Sequence, residues 1–328
     1  PIPAKIAETI ENNRMKNGTL AFNVPVGFAE NGGDFFLTMI GTFTPSDIPR
    51  GELALLRHEN GAFVLKKTVL PKIPRPTHTN FADLNGDGRT DLIVSMYGNN
   101  IGRLSWFEKK ENGDYAENIL LPRSGTLSTA VHDFNGDGRL DLYMTGMGST
   151  TARRLETMKA GRKEFAGHQA HRMKMGYGNR LFLGGKDGFA QAPFNHQVAR
   201  AGWSWGVAGA DFDLDGDRDL FIANGNISRN SAKDYCTTFW RHDIFAGSSR
   251  RDCVLDKYFE GTLSELAHNS WNGFEHNVFY LNPPGEGFVN VAFLLGVSHE
   301  FDSRVVVGTD FDADGRPDLL VTQLSAKN

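Results

Sequence analysis

Short apolar runs recur along this chain, and each follows a cluster of aspartates. The runs are Leu92-Ile-Val-Ser, Leu142-Tyr-Met-Thr, Leu220-Phe-Ile-Ala and Leu319-Leu-Val-Thr. They are too short for helices, and runs of apolar and β-branched residues just after a turn read as buried strands. A second pattern recurs further along. Gly102-Arg-Leu-Ser-Trp-Phe, Asn179-Arg-Leu-Phe-Leu-Gly-Gly and His276-Asn-Val-Phe-Tyr-Leu each read as a strand running into a Gly- or Asn-rich turn. Together these patterns give units of four antiparallel strands, about 45 residues long, which is the signature of a propeller blade. The first unit, near Gly27 to Leu70, keeps its strands, as in Asp34-Phe-Phe-Leu-Thr-Met-Ile. Its turn is Glu30-Asn-Gly-Gly-Asp34, and no metal is expected there.

The aspartate clusters repeat in one register. They are Asp83-Leu-Asn-Gly-Asp-Gly-Arg-Thr-Asp91, Asp133-Phe-Asn-Gly-Asp-Gly-Arg-Leu-Asp141, Asp211-Phe-Asp-Leu-Asp-Gly-Asp-Arg-Asp219 and Asp310-Phe-Asp-Ala-Asp-Gly-Arg-Pro-Asp318. Oxygen side chains fall at positions 1, 3, 5 and 9, and Gly occupies position 6. Ca²⁺ takes six to eight hard oxygen ligands, which carboxylates at alternate positions of a tight loop supply. The expected ligands are Asp83, Asn85, Asp87 and Asp91; Asp133, Asn135, Asp137 and Asp141; Asp211, Asp213, Asp215 and Asp219; and Asp310, Asp312, Asp314 and Asp318. The carbonyls of Arg89, Arg139, Asp217 and Arg316 are expected to complete the shells. The last two loops offer four carboxylates each and the first two only three, so the last two are expected to bind more tightly. An EF-hand is excluded, because its twelfth position needs Glu and here holds Val94, Met144, Ile222 or Val321.

Spacing locates two insertions. Fifty residues separate Asp83 from Asp133, close to one plain unit. The next two intervals are 78 and 99 residues, which puts extra chain near 150–177 and 226–275. The first insertion is basic and partly helical, and reads most simply as a solvated face. Its His168 and His171 form His-x-x-His, a spacing that suits two imidazole ligands on one helix face. The second insertion holds both cysteines, Cys236 and Cys253, which fit either a disulfide or two buried thiols.

The acidic loops resemble the FG-GAP/VCBS repeats of integrin-α-like propellers. Gly202-Trp-Ser-Trp-Gly-Val-Ala-Gly-Ala-Asp-Phe-Asp213, with Asp302-Ser-Arg304 before Asp310-Phe-Asp312, is more specifically similar to the ASPIC/UnbV, cartilage acidic protein-like group. The resemblance implies an all-β fold, a β-propeller of four-stranded blades with the two partly helical insertions. An N-terminal extension over 1–20 is expected to precede a propeller over 21–328. The chain holds four and a half blades of a ring of about seven, so a C-terminal remainder or a partner chain is expected to complete it. The resemblance also implies export, to the periplasm, the cell surface or the medium, and favours a Cys236–Cys253 disulfide.

Charge and composition narrow the function. The net charge of −4 gives no case for nucleic acid, and no apolar run is long enough to span a membrane. The reading is a calcium-binding module for a protein or carbohydrate ligand. The alternatives are an extracellular enzyme (a polysaccharide lyase or hydrolase, or a metal-dependent oxidase) and a structural subunit of a larger complex. Any ligand site is expected opposite the Ca²⁺ loops. Trp203 and Asp302 lie eight residues before their loops, and Trp205 and Arg304 six. Eight strand residues span roughly 26 Å, which carries these four side chains to the far end, beneath both insertions. The plainer reading is that Asp302 and Arg304 pair with backbone or each other, while the tryptophans pack the blades.

Overall fold

The computed structural model describes residues 25–41, 47–98, 100–240, 268–284 and 287–324, with Lys257 and Gly261. The 1–20 extension and Cys253 lie outside the described residues. Strand makes up 48% of the structure and helix 12%, so the fold is all-β.

Four sheets of four antiparallel strands follow one another along the chain among the described residues. The first holds β1 (Pro25–Asn31), β2 (Asp34–Met39), β3 (Gly51–Glu59) and β4 (Ala62–Ile73). The second holds β5 (Pro76–Ala82), β6 (Asp91–Met96), β7 (Arg103–Lys109) and β8 (Tyr115–Leu121). In the third, β9 (Thr126–His132), β10 (Asp141–Gly146), β11 (Arg180–Gly185) and β12 (Gly188–Gln191) are neighbours in sequence order. The fourth holds β13 (Ser204–Ala210), β14 (Asp219–Asn224), β17 (Val278–Leu281) and β18 (Val289–Asn290). A final pair, β19 (Ser303–Thr309) and β20 (Asp318–Gln323), repeats the first half of this pattern. The chain divides into two compact units, residues 1–129 and 130–328, with the division inside β9.

The apolar runs become strands buried on both faces. Every residue of β6, β10 and β14 is buried. In β14 the two faces serve different cores. Leu220 and Ile222 join Tyr143, Leu181 and Val278, while Phe221 and Ala223 join Ala208, Phe279 and Val306. Period-two alternation with apolar neighbours on both sides gives an uninterrupted apolar sequence. In the first unit, Leu92, Val94 and Met96 of β6 pack with Phe36, Leu53 and Leu55. The turn between β1 and β2 is a two-residue hairpin through Gly32 and Gly33, both at positive φ. Such turns need φ > 0 at both central positions, which glycine supplies.

Both insertions leave at the strand ends remote from the acidic loops. The first lies between β10 and β11 and carries α1 (Thr150–Thr157) and α2 (Ala166–Met175). Ser149 caps α1, its Oγ accepting from Ala152 N at 3.0 Å, and Ala152 and Leu155 turn inward. The second lies between β14 and β17 and contributes the short parallel pair β15 (Ser231–Asp234) and β16 (Asn269–Ser270). The two insertions touch. Gly176 lies against the Trp240 ring, and Ser149 Oγ is 3.7 Å from Cys236 Sγ.

Ile222 is fully buried, whereas Leu320 of β20 is half exposed. Ile222→Ala is expected to cost ~2–5 kcal/mol by opening a cavity. Leu320→Ala is expected to stay within about 1 kcal/mol. Urea unfolding of the two variants beside the parent checks the ranking.

Candidate functional site

The four acidic loops share one backbone. Position 6 sits at positive φ in each, at Gly88, Gly138, Gly216 and Gly315, and so does position 4. Position 4 is Gly86 or Gly136 in the first two loops, but Leu214 or Ala313 in the last two, at φ 63° and 61°. Non-glycine residues resist this region, so the last two loops adopt the shared shape at a cost of roughly 1–2 kcal/mol each. Position-1 carboxylates close the turn, with Gly88 N donating to Asp83 at 2.7 Å and Gly138 N to Asp133 at 2.8 Å. Gly216 N donates to Asp211 at 3.1 Å and Gly315 N to Asp310 at 2.8 Å. Position-3 oxygens of Asn85, Asn135, Asp213 and Asp312 each accept from the N–H of position 5. Position-5 carboxylates of Asp87, Asp137, Asp215 and Asp314 accept from the N–H of Arg89, Arg139, Asp217 and Arg316, each at 2.9 Å.

The loops differ in their fitness for a cation. Carboxylate oxygens of Asp211, Asp213 and Asp215 lie within 4.8 Å of one another, and so do those of Asp310, Asp312 and Asp314. Asp211 Oδ1 is buried without a hydrogen-bond partner. Burial, then the charge of Asp215, raises the Asp213 carboxyl above its usual range. A hard cation would relieve both conditions. In the first two loops an internal cation is already present. The Arg89 guanidinium pairs with Asp87, and Arg139 Nη2 donates to Asp137 at 2.9 Å. The residue types of the last two loops therefore suit Ca²⁺ best, with Asp211, Asp213 and Asp215 in one and Asp310, Asp312 and Asp314 in the other.

Position 9 also serves as a bracket. Asp91, Asp141 and Asp219 are fully buried. One oxygen of each accepts from the N–H of position 2, at Leu84, Phe134 and Phe212, at 3.3, 2.9 and 2.9 Å. The other accepts from the backbone of the third strand or the residue just after it, at Lys109, Gly184 and Asn282, at 2.7, 2.8 and 3.0 Å. Asp318 makes the first of these bonds, to Phe311 N at 2.9 Å. Burial pushes the Asp219 carboxyl up to about 6 and raises Asp141 as well.

At the opposite strand ends, the four aromatic and charged residues gather under the second insertion. Arg304 lies 4.4 Å from the Trp205 ring centre. Trp205 Nε1 and Arg304 Nη1 both donate to Gly225 O, at 2.7 and 2.8 Å, and Arg304 also reaches Asn226 O. Gly206 permits this approach, since a Cβ there would stand 2.6 Å from Arg304 O. Asp302 accepts from Ser228 N at 2.6 Å and Ser228 Oγ at 2.8 Å. Trp203 is buried edge-on against Trp271. Burial lowers the Arg304 guanidinium to about 10, so it stays charged at neutral pH. These contacts tie the insertion's backbone to β13 and β19. Cys236 is buried and has no disulfide partner among the described residues, and burial lifts its pKa to about 12. Its expected partner, Cys253, lies outside the described residues. His168 and His171 share α2, and no third metal ligand gathers beside them among the described residues.

Three residues that the motif pattern passes over complete this end. Glu275 accepts from Trp203 N at 2.6 Å and Asn272 Nδ2 at 3.0 Å. Asn179 and Asn277 precede the third strands of consecutive sheets, and their Oδ1 atoms accept from Gly146 N and Asn224 N, both at 3.0 Å. The signal for this pair was present, since each Asn stands just before the apolar third-strand run. Glu275 carries no comparable signal.

A family model described as FG-GAP-like repeat matches residues 83–144, which takes in the first two acidic loops. No curated protein matches the chain.

Two outcomes are expected. Asp141→Ala, measured in chelator, should cost about 2–4 kcal/mol, because it strands the buried N–H of Phe134 and the half-buried N–H of Gly184; a denaturation midpoint equal to the parent's would contradict the bracket. Burial pushes Glu275 up to about 6, against its two hydrogen bonds and with the nearby charges of Asp234 and Asp302. Folded Glu275 thus binds its proton more tightly than the unfolded chain, whose value is near 4.5. The stability it adds is complete below pH 4.5 and is lost as pH rises through about 6. Between pH 5 and pH 7 this amounts to about 1 kcal/mol, and Glu275→Gln should remove it from paired urea melts.

Proposed function

We propose that this chain is an exported, calcium-binding interaction module whose four-stranded sheets are blades of a β-propeller. The FG-GAP-like match over 83–144 supports a binding module of the integrin-like type. The observation that carries the metal reading is the converging triad Asp211, Asp213 and Asp215, with the orphaned Asp211 Oδ1 among its oxygens. Ca²⁺ supplies charge neutralisation to this triad and to Asp310, Asp312 and Asp314. Held there, the ion would fix the turn between the first and second strands of its sheet. The two Arg-paired loops bind the ion more weakly, because Arg89 and Arg139 must first yield Asp87 and Asp137.

The ligand surface lies at the insertion end. There the rigid strand ends hold two long insertions, the first carrying α1 and α2, and inserted chain on a rigid scaffold is where recognition is commonly placed. Trp203, Trp205, Asp302 and Arg304 serve this surface from below, as the mount of the second insertion. An anchoring role fits their contacts better than direct ligand binding, since Arg304 and Asp302 spend their polar atoms on Gly225, Asn226 and Ser228. A protein or carbohydrate ligand remains the expected partner class.

Exhaustive chelation should lower the melting temperature, and added Ca²⁺ should restore it, because an ion bound only by the folded state stabilises that state. Calorimetric titration should resolve two tighter sites. Asp213→Asn should weaken one of them at least about tenfold through lost ligand charge. A melt that ignores both chelator and Ca²⁺ overturns the metal reading.

A further inference from the structure

The first insertion carries seven basic and two acidic side chains over residues 150–177. Both acids have local partners: Arg162 pairs with Glu164 at 2.6 Å, and Gln169 contacts Glu156. Among the described residues, Arg154, Lys159, Lys163, Lys174 and Arg200 form no ion pair, and all five are exposed. Arg153 is half-buried beside them. Its Nη2 donates to Thr150 Oγ1 at 3.3 Å, while its Nη1 is buried without a partner. Burial, and after it the charge of Arg200, holds the Arg153 guanidinium below its usual range. Among the described residues neither guanidinium pairs with a carboxylate, and an external anion would satisfy the orphaned Arg153 Nη1.

We propose that the exposed side of α1, the turn that follows it, and Arg200 form a docking surface for an anionic polysaccharide bearing sulfate or uronate groups. The inference rests on the reading of the chain as an interaction module and is independent of the metal loops. Guanidinium and ammonium groups match sulfate and carboxylate oxygens, and the guanidinium fork does so bidentately. Two other polyanionic partners fit less well. Single-stranded nucleic acid needs open aromatic faces on which bases stack. Here Arg180 and Arg200 each lie 4.5 Å from the Tyr177 ring centre, and Arg162 lies 4.8 Å from that of Phe165. A protein partner needs a buried apolar anchor at the centre of its interface. Among the described residues of 150–200, the one large apolar side chain left exposed is Met158.

The test is equilibrium binding of the intact chain to dextran sulfate, polygalacturonate, neutral dextran and a single-stranded oligonucleotide, each with and without chelator. Both acidic polysaccharides should bind, neutral dextran should not, and added salt should weaken the binding by screening. The triple variant Arg154→Glu, Lys159→Glu, Lys163→Glu should raise the Kd for dextran sulfate by at least about tenfold. Its melt should match the parent's, because these side chains are exposed. Arg200→Gln, outside the insertion, should weaken binding in the same direction. Unchanged binding in both variants, equal binding of neutral dextran, or tighter binding of the oligonucleotide would each overturn the proposal. A chelator effect absent from the melt, with charge-dependent polysaccharide binding intact, would overturn only the metal reading.

Discussion

Asp91, Asp141 and Asp219 are buried carboxylates, each shared between two backbone N–H groups far apart in the chain. One donor lies at the start of an acidic loop; the other lies at or just past the end of the third strand, 18 to 63 residues on. A buried charge is costly unless hydrogen bonds satisfy it, and here both oxygens are satisfied. The bracket does two things at once. It fixes the loop against its own sheet, and it sets where the third strand stops. The long insertion between β14 and β17 is tolerated because Asp219 still finds Asn282 N after 63 residues. Loop closure costs grow slowly with length, so a short-range clamp at the other end of the sheet compensates for a long excursion.

With that end fixed, the sheet has two chemically distinct ends. The seven residues of β13 span about 23 Å, between the Asp211 loop and Trp203. That distance exceeds the Debye length of roughly 8–10 Å at ordinary ionic strength. The Asp211 loop and the far end of its own sheet therefore influence one another's charge little. A cation at one end and a polyanion at the other would be electrostatically compatible in a chain of modest net charge. The average of −4 conceals this separation entirely.

The strand–loop–strand units were legible because their physics is local. Period-two burial on both faces leaves an unbroken apolar run, and a repeated αL turn leaves its glycine at position 6. The insertions were legible as excess length. The loop chemistry was legible in part. The sequence marks the ninth aspartate as a ligand, and the structure adds its bracket to Lys109, Gly184 and Asn282. Arg89 and Arg139 stood at carbonyl-donor positions in the motif, and nothing in the spacing foretold that their side chains would pair with Asp87 and Asp137. Trp205 and Arg304 were placed together by counting back along two strands. Their common acceptor, Gly225 O, belongs to a turn whose path no periodicity encodes. Glu275 was invisible for the same reason, since it sits in irregular chain and acts through tertiary contact.

β14 joins these features in one strand. It begins at Asp219, the bracket, and ends at Asn224, whose side chain donates to Ala201 O and His276 O and accepts from Ser204 Oγ. Every residue between is buried against two different cores. Such a strand cannot slide by one residue without exchanging its two apolar faces, and cannot tilt without breaking a hub at one end or the other. An ion in the Asp211 loop would therefore tighten an element that is already held at both ends. Its effect on the insertion end would be to lower the population of unfolded chain, with no shift of the insertion required for the two ends to be coupled. That coupling is one of shared stability, set by the strand that both sites grip.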